Sequence, residues 1–222
     1  MKKLLHTLTL TLLTMTCVAE DTAMTDKQKL SYALGVFFSQ NIMQQNIELD
    51  EASFLKAVSD VLHDNPLQLT PEEIQAVFTD FRAKEQQQKQ ALAEQNMEAG
   101  QQFLADNKKQ KGVISTASGL QYKIIKPGAG DKPSPDGTYT VHYRGTLIDG
   151  TEFDSSYSRN QPFSFKLNGV IAGWQEALPL MRTGARWQLF IPAELAYGER
   201  SQGQIIGPQS TLVFEVELLS AE

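Results

Sequence analysis

The spacing of apolar residues divides the chain into a helical first half and a β-rich second half. Between residues 24 and about 110, apolar side chains recur every three or four positions, as in the segments 30–38 and 54–62. That spacing predicts amphipathic helices. From Gly119 onward, apolar and polar residues alternate, and this period of two predicts β-strands. The pattern therefore predicts an α+β chain with its helices first.

Capping residues mark where two of the helices begin. Asp50 is the predicted N-cap of the second helix, which Pro66 is predicted to end. Thr70 is the predicted N-cap of the third helix, because Pro71 suits the first helical position and Glu73 completes a capping box. The third helix therefore has the clearest predicted start in the chain.

Residues 84–102 favour helix but contain few apolar side chains. We expect the third helix to continue through them as a long connecting helix over 71–110, polar all round and placed between two bodies. Phe103 and Leu104 are expected to dock its far end. The alternative is a disordered glutamine-rich linker.

The segment 24–85 carries more apolar side chains than three short helices can bury among themselves. The excess lies in aromatic residues and methionine, namely Phe37, Phe38, Met43 and Phe54. We therefore predict a helical dimerisation domain in which two chains share one core. A small monomeric helical domain is the alternative.

The second half predicts a domain of antiparallel strands with one short helix, spanning 113–222. The predicted strands are 120–125, 139–143, 146–148, 151–153, 186–191 and 211–219. Asp149-Gly150 predicts a tight hairpin between the third and fourth of these. The short helix is predicted at 174–181, where Pro179 limits its length.

The first 19 residues read as a secretory signal peptide. Lys2 and Lys3 precede a short apolar-rich run over 4–15, and Cys17-Val18-Ala19 fits cleavage after Ala19. One alternative makes Cys17 a lipid-modified N-terminus, and another makes the segment an amphipathic helix. Either a cleaved signal or a lipidated cysteine predicts export.

Composition excludes several classes of function. A net charge of −6 and a pI near 5.2 argue against binding to nucleic acid. The single cysteine, Cys17, excludes an intrachain disulfide and a thiolate metal cluster. The three histidines are far apart, and no phosphate-binding loop or nucleophile elbow is present in the sequence. We therefore predict no metal and no cofactor.

Sequence blocks in the second half carry a resemblance to a known family. The blocks are VHYRG at 141–145, GTEFDSS at 150–156, VIAGW at 170–174, LAYG at 195–198, IIGP at 205–208 and LVF at 212–214. In this order they resemble the FKBP-type peptidyl-prolyl cis-trans isomerases. The first half, through KLSYALG at 29–35, looks like the amino-terminal domain of the same family. From about residue 25 onward the chain is similar to the macrophage infectivity potentiator group, in which a helical dimerisation domain and a long helix carry the isomerase domain.

The resemblance implies an aromatic pocket and assigns its residues. The implied catalytic residues are Asp154, Tyr197, Ile171, Trp174 and Phe153. The implied substrate-binding residues are Tyr143, Phe163, Val170, Phe214, Phe165 and Ile205. In this assignment Trp174 is the floor, the Ile171 N–H and Tyr197 hydroxyl bind substrate carbonyls, and Asp154 faces the reacting carbonyl or organises nearby polar groups.

The implied activity is prolyl isomerisation that accelerates the folding of exported proteins. The implied partners are proline-containing unfolded or surface-exposed polypeptides, rapamycin-type macrolides and a second copy of the chain. The implied location is the periplasm or cell surface of a Gram-negative bacterium, or the outer membrane if Cys17 is lipidated. An alternative function is a dimeric periplasmic holdase-type chaperone. Residues 201–204 and Gly207 depart from the family pattern at the pocket rim, which bears on substrate preference.

Overall fold

The computed structural model describes residues 23–44, 47–134 and 136–221. The predicted signal peptide and Cys17 lie outside these residues. The described residues form two compact units, one ending at Thr70 and the other beginning at Pro71. None of the helices in the described ranges is long and apolar enough to cross a membrane.

The first unit contains helix α1 (Asp26–Gln44) and helix α2 (Glu51–Leu62). The predicted N-cap is confirmed, because the Asp50 carboxylate accepts the Ser53 backbone N–H at 2.8 Å. No residue of α1 is buried, and the Phe37 and Met43 side chains are 60% and 73% exposed. The described part of the chain therefore leaves the apolar surface of α1 uncovered.

The second unit begins with one continuous helix, α3 (Pro71–Asn107). The helix starts at the residue that the capping pattern predicts. The alternative of a disordered linker over 84–102 is wrong, because all of these residues are helical. Strong helix propensity along the glutamine-rich stretch explains why the helix continues with so few apolar residues.

The described residues of the second unit build a seven-stranded antiparallel sheet in the order β1-β2-β6-β7-β3-β4, with β5 also paired to β3. The strands are β1 (Val113–Ser115), β2 (Gln121–Lys126), β3 (Thr138–Leu147), β4 (Glu152–Ser155), β5 (Phe163–Lys166), β6 (Arg186–Ile191) and β7 (Leu212–Ala221). With the first-unit helices, this confirms the predicted α+β fold. Strands β4 and β5 pair with different ends of β3.

The sequence pattern missed two strands and misplaced one helix. Strands β1 and β5 have three and four residues, which is too short for alternation to identify. The helix predicted at 174–181 is α4 (Ala172–Ala177), and Leu178–Leu180 continues it as a 3-10 turn. Pro179 accounts for the change to 3-10 geometry, since it cannot donate to an α-helical hydrogen bond. The Asp149-Gly150 hairpin is confirmed, with the Leu147 N–H donating to the Thr151 carbonyl at 2.9 Å.

The main core lies between α4 and one face of the sheet. Trp174, Ala177 and Leu178 are buried there with alternate residues of β6 and β7, including Leu189 and Val216. Burial of apolar area at this interface is the main source of stability for the unit. We call the sheet face opposite α4 the outer face.

The carboxyl-terminal part of α3 packs on the outer face. Phe190 alternates away from the core but is only 6% exposed, because Phe103 covers it with 5.9 Å between ring centroids. Gln121 is also buried, and its side-chain amide donates to the Leu104 carbonyl at 2.9 Å and accepts from Asn107. The docking predicted for Phe103 and Leu104 is confirmed by these contacts.

Candidate active site

A cavity of about 590 Å³ opens beside α4. Its lining consists of Tyr143, Phe153, Asp154, Phe163, Gly169, Val170, Ile171, Trp174, Tyr197, Gln202, Gly203, Gln204, Ile205, Ile206 and Phe214. The fold thus brings together every site residue expected from the sequence except Phe165. Residues from four strands (β3, β4, β5 and β7), from α4 and from two connecting segments converge here, so no local stretch of sequence contains the whole site.

Trp174 lines the cavity from the first turn of α4 and is 4% exposed. Tyr143 and Phe214 meet it edge-on, with ring centroids 5.3 Å and 5.2 Å away. Such edge-to-face arrangements are favourable because the positive edge of one ring faces the negative face of another. The indole is therefore held by aromatic packing on more than one side.

Phe165 supports the cavity from behind and does not line it. Its ring lies 5.5 Å from Trp174 and 5.0 Å from Phe163, measured between centroids. Phe153 and Phe163 both line the cavity, from strands β4 and β5 that pair with different ends of β3. The cavity is consequently apolar over most of its surface.

Asp154 is the acidic residue at the cavity edge, and two side chains hold its carboxylate. The Tyr143 hydroxyl donates to one oxygen, and the Arg159 guanidinium donates to the other in an ion pair. Arg159 also donates to the Tyr143 hydroxyl at 2.9 Å, and its Cζ lies 5.8 Å from the centroid of the Tyr143 ring. The three side chains form a closed hydrogen-bonded set.

This set decides the charge of Asp154. Partial burial alone raises the pKa of the carboxyl, but the hydrogen bonds from Tyr143 and Arg159 outweigh it and hold the pKa below its ordinary value. The same contacts raise the pKa of Arg159, whose partner carboxylate stabilises the guanidinium. Burial, reinforced by the bond to Asp154, raises the pKa of Tyr143. Near neutral pH the edge therefore carries a carboxylate held by a neutral phenol and a guanidinium.

Ile171 and Tyr197 present the polar groups that the resemblance assigns to substrate carbonyls. Ile171 is the N-cap residue of α4, and its carbonyl accepts the amides of Trp174 and Gln175 at 3.0 Å and 3.1 Å. Tyr197 lies in the turn after the 3-10 helix Ala193–Leu195, where the next amide, from Gly198, donates to the Ala193 carbonyl. Burial, with a smaller effect of the Asp154 charge, raises the pKa of the Tyr197 hydroxyl.

One side of the cavity mouth is a loop that we call the rim loop, residues 202–210. Its first five residues line the cavity. Gln202 and Ile206 exchange backbone hydrogen bonds of 2.8 Å and 3.3 Å, so the loop closes on itself as a tight bridge. The Ile206 side chain is buried in the core, whereas Ile205 is 44% exposed.

Sequence reasoning missed Arg159 and two residues of the cavity lining, Gly169 and Ile206. It expected residues 201–204 at the pocket rim, and three of them, Gln202, Gly203 and Gln204, do line the cavity. Arg159 follows Asp154 by five residues, and a basic residue so close to a candidate carboxylate is the signal that was available. His142 lies on β3 outside the cavity lining, where its ring stacks on Tyr157 and contacts the Ser156 hydroxyl at 2.9 Å.

Comparison with known proteins covers both halves of the chain. Residues 130–219 match the family model described as FKBP-type peptidyl-prolyl cis-trans isomerase. Residues 27–124 match the model described as the domain amino-terminal to FKBP-type peptidyl-prolyl isomerase. The two matched ranges lie end to end along the chain, in the order expected from the sequence blocks.

Individual relatives align over nearly the whole chain. The outer membrane protein MIP of Legionella longbeachae is 43% identical over 202 residues, covering 89% of this chain and 87% of that protein. The FKBP-type 22 kDa peptidyl-prolyl cis-trans isomerase of Escherichia coli is 42% identical over 201 residues, covering 88% of this chain and 95% of that protein.

A solved structure supports the same relationship. The crystal structure of FkpA from Escherichia coli superimposes with a TM-score of 0.63 at 38% identity, covering 89% of this chain and 97% of that one. Identity of this extent, together with two family models in the expected order, establishes the relationship. The chain belongs to the FKBP-type peptidyl-prolyl cis-trans isomerases and is an enzyme of that class.

Proposed function

We propose that the aromatic cavity is the isomerase site, with Asp154, Tyr197, Ile171, Trp174 and Phe153 acting on the reacting peptide. The remaining lining side chains that the sequence singled out, Tyr143, Phe163, Val170, Phe214 and Ile205, hold the residues around proline. The observation that carries the proposal is the meeting of an aromatic floor and an ionised carboxylate in one cavity. Phe165 contributes by supporting Trp174.

The reaction requires rotation about an amide bond, without bond cleavage. Rotation disrupts amide resonance and faces a barrier of about 18–20 kcal/mol. The twisted amide has less charge separation than the planar one, so apolar surroundings favour it relative to water. A thousandfold acceleration needs about 4 kcal/mol of preferential stabilisation, at about 1.36 kcal/mol per factor of ten. Trp174, Phe153 and Phe214 supply that apolar environment around the proline ring.

Polar groups at the edge orient the peptide in this mechanism. The Ile171 N–H and Tyr197 hydroxyl donate hydrogen bonds to carbonyls that flank the rotating bond. Asp154 keeps a fixed negative charge beside the carbonyl that turns, because Tyr143 and Arg159 hold its carboxylate in place. A preorganised group of this kind pays little reorganisation energy during the reaction.

Substitution of Asp154 tests the assignment. Asp154→Ala should reduce kcat/KM on a proline-containing tetrapeptide by about tenfold or more, because it removes the fixed charge beside the carbonyl that turns and releases Tyr143 and Arg159, which hold that charge in place. Tyr197→Phe should cost less, about two- to tenfold, because it removes one neutral hydrogen bond and keeps the ring.

The matched control is Glu152→Ala. Glu152 is an exposed acid on the same strand, pairs with Arg144 and does not line the cavity, so its replacement should leave kcat/KM unchanged. Circular dichroism checks that each variant is folded. A folded Asp154→Ala variant with undiminished kcat/KM would show that the site is elsewhere.

We also propose that the enzyme is a homodimer that acts on exported, proline-containing polypeptides. The exposed apolar side chains of α1 support a shared core between two chains. The signal-like amino terminus, and a relative described as an outer membrane protein, support export. Intact mass of the exported product separates cleavage after Ala19 from lipidation of Cys17, and an unprocessed product would refute export.

Two linked sites on one dimer would also gain avidity for unfolded chains, which is the basis of the holdase alternative. Measuring isomerisation, client refolding and aggregation in the Asp154→Ala variant distinguishes the two functions. If Asp154→Ala abolishes isomerisation and client refolding together, the enzyme is the folding factor. If it abolishes only isomerisation and aggregation is still suppressed, the holdase activity is primary.

Rapamycin-type macrolides are expected to compete with peptide for the cavity.

A further inference from the structure

The second half of α3 lies unusually close to the chain segment that leads into β7. Gly100 is buried, and a Cβ at this position would lie 2.3 Å from the Thr211 Oγ1 atom. Such an approach leaves no room for a side chain on that face of the helix. Together with the contacts of Phe103 and Gln121, it holds α3 in one position on the outer face of the sheet.

One turn before Gly100, the same helix contacts the rim loop directly. The Asn96 side-chain amide donates to the Pro208 carbonyl at 2.8 Å and to the Ser210 hydroxyl at 3.4 Å. The Ser210 hydroxyl in turn donates to the Gly207 carbonyl at 2.9 Å. Asn96 is only partly exposed, so these bonds are sheltered from competing water.

Gly207 is the point of closest approach between the loop and the helix. A Cβ there would lie 3.0 Å from the Asn96 Nδ2 atom and 3.2 Å from the Leu92 Cδ2 atom. Gly207 does not have a positive φ, so backbone conformation does not require glycine at this position. A side chain at this position would therefore require Asn96 and Leu92 to shift by a few tenths of an ångström.

The rim loop thus has the cavity on one side and α3 on the other. Its other backbone hydrogen bonds are the Gln202–Ile206 pair and the Gln209 N–H donating to the Gly198 carbonyl at 2.7 Å, which join residues of the loop to each other or to the preceding turn. The buried Ile206 side chain also anchors the loop in the core. Asn96 is 112 residues away from Pro208 and connects the loop to a separate rigid element.

We propose that Asn96 is a positioning residue for the isomerase site, and that α3 sets substrate preference by fixing the rim loop. This inference rests on the proposed function of the cavity. The aromatic floor takes the proline ring, so the neighbouring residues of a bound peptide reach the mouth, where Gln202, Gln204 and Ile205 lie. Displacement of the loop changes the fit of those neighbours and leaves Trp174 and Asp154 in place.

The test compares Asn96→Asp with Gln95→Ala in the full chain. Asn96→Asp keeps the size of the side chain but replaces the donor with a carboxylate that the Pro208 carbonyl repels. Gln95→Ala changes an adjacent exposed residue of the same helix. Each variant is assayed on tetrapeptides that differ only in the residue before proline.

For Asn96→Asp we expect the ratio of kcat/KM between peptides to change by about two- to tenfold, the effect of losing one hydrogen bond. The change should lie mainly in KM, because the loop contacts the peptide equally before and during rotation. Backbone amides of residues 202–206 should exchange hydrogen faster. Gln95→Ala should move none of these quantities.

A second pair of variants tests the close approach at Gly207. Gly207→Ala should shift the same peptide ratios, because its Cβ pushes the loop from the helix. Adding Leu92→Ala should return the ratios toward those of the unmodified enzyme, since it removes one of the two contacting groups. A purely destabilising effect would instead lower activity on every peptide by one factor, and the added Leu92→Ala would not restore it.

The outcomes separate this inference from the proposed function. Unchanged peptide ratios in both Asn96→Asp and Gly207→Ala, while Asp154→Ala lowers activity, would overturn the role of α3 and leave the site assignment intact. A folded Asp154→Ala variant with full activity would overturn both.

Discussion

At the scale of single residues, the charge state of Asp154 should set the acid limit of catalysis. Its pKa is held below the ordinary value near 3.8 by the bonds from Tyr143 and Arg159, against the opposing effect of burial. We therefore expect kcat/KM to stay level from pH 8 to about pH 5 and to fall only below the ordinary carboxyl range. Peptide assays across this range measure the profile.

The matched variant is Asp154→Asn, whose kcat/KM should be low and should lack this acid fall. The free energy of unfolding should also fall at low pH, as kcat/KM does. A carboxyl whose pKa is lower in the folded state favours folding fully above its unfolded pKa, and this contribution is lost as pH falls through the folded value. If kcat/KM of Asp154→Asn falls at low pH as it does in the unmodified enzyme, another group is responsible for the titration.

At the scale of elements, the docking of α3 makes a prediction about Gly100. In an exposed helix, Gly→Ala stabilises by about 1 kcal/mol through helix propensity. Here the Cβ would meet the buried Thr211 side chain at 2.3 Å, and overpacking of this kind costs about 1–3 kcal/mol. We expect Gly100→Ala to lower the unfolding temperature of the full chain, measured by calorimetry.

Thr211→Ala provides the control in the same background. It removes the Oγ1 atom that the new methyl group contacts, so the double variant should recover part of the lost stability. A Gly100→Ala variant that is more stable than the unmodified chain would mean that helix propensity outweighs the steric contact. The close packing of α3 would then contribute nothing to stability.

The elements also show what a single sequence can and cannot predict. Alternation identified β3, β6 and β7 because one face of each is buried and the other is polar. The capping pattern at Thr70 to Glu73 identified the start of α3. Phe190 was not recognised as covered by a second layer, since its environment depends on Phe103 from a helix distant in sequence.

The residues of the candidate site also differ in whether the sequence could predict them. Most aromatic lining residues and Asp154 were accessible through the ordered sequence blocks, which contain Tyr143, Phe153, Asp154, Trp174, Tyr197 and Phe214. Phe163 lies between two blocks and was placed by its position in the family pattern. The only sequence signal for Arg159 was its short spacing from Asp154, and the ion pair itself forms only in the folded chain. The contact of Asn96 with Pro208 gave no sequence signal, because it joins residues 112 positions apart. Periodicity describes which face of an element is buried and does not specify its partner.

At the scale of the whole molecule, we predict that α1 forms part of a dimer interface. Phe37→Glu should produce a monomer in light scattering at micromolar concentration, because a buried unpaired charge is costly. Gln40→Glu places the same charge on an exposed polar residue of α1 and should leave the mass unchanged. A monomeric unmodified chain at that concentration would contradict the dimer.

Removal of the first two helices should also affect activity. A chain that begins at Ala91 retains the contacts of Asn96, Gly100 and Phe103 with the rest of its unit, so it should be monomeric and keep peptide activity. Refolding of a protein client should fall further than peptide activity, because avidity between two sites is lost. Equal losses in the two assays would show that avidity between two sites does not contribute to client refolding.

The hydrogen bond between Asn96 and Pro208 also implies an effect in the reverse direction. Binding free energies that are coupled between two places are coupled equally both ways. If the helix holds the rim loop in the arrangement that binds peptide, then an occupied cavity must favour the docked helix by the same amount. Occupancy of the isomerase site would thus be transmitted to α3 as a change in its rigidity, so that the helix reports whether a client is bound.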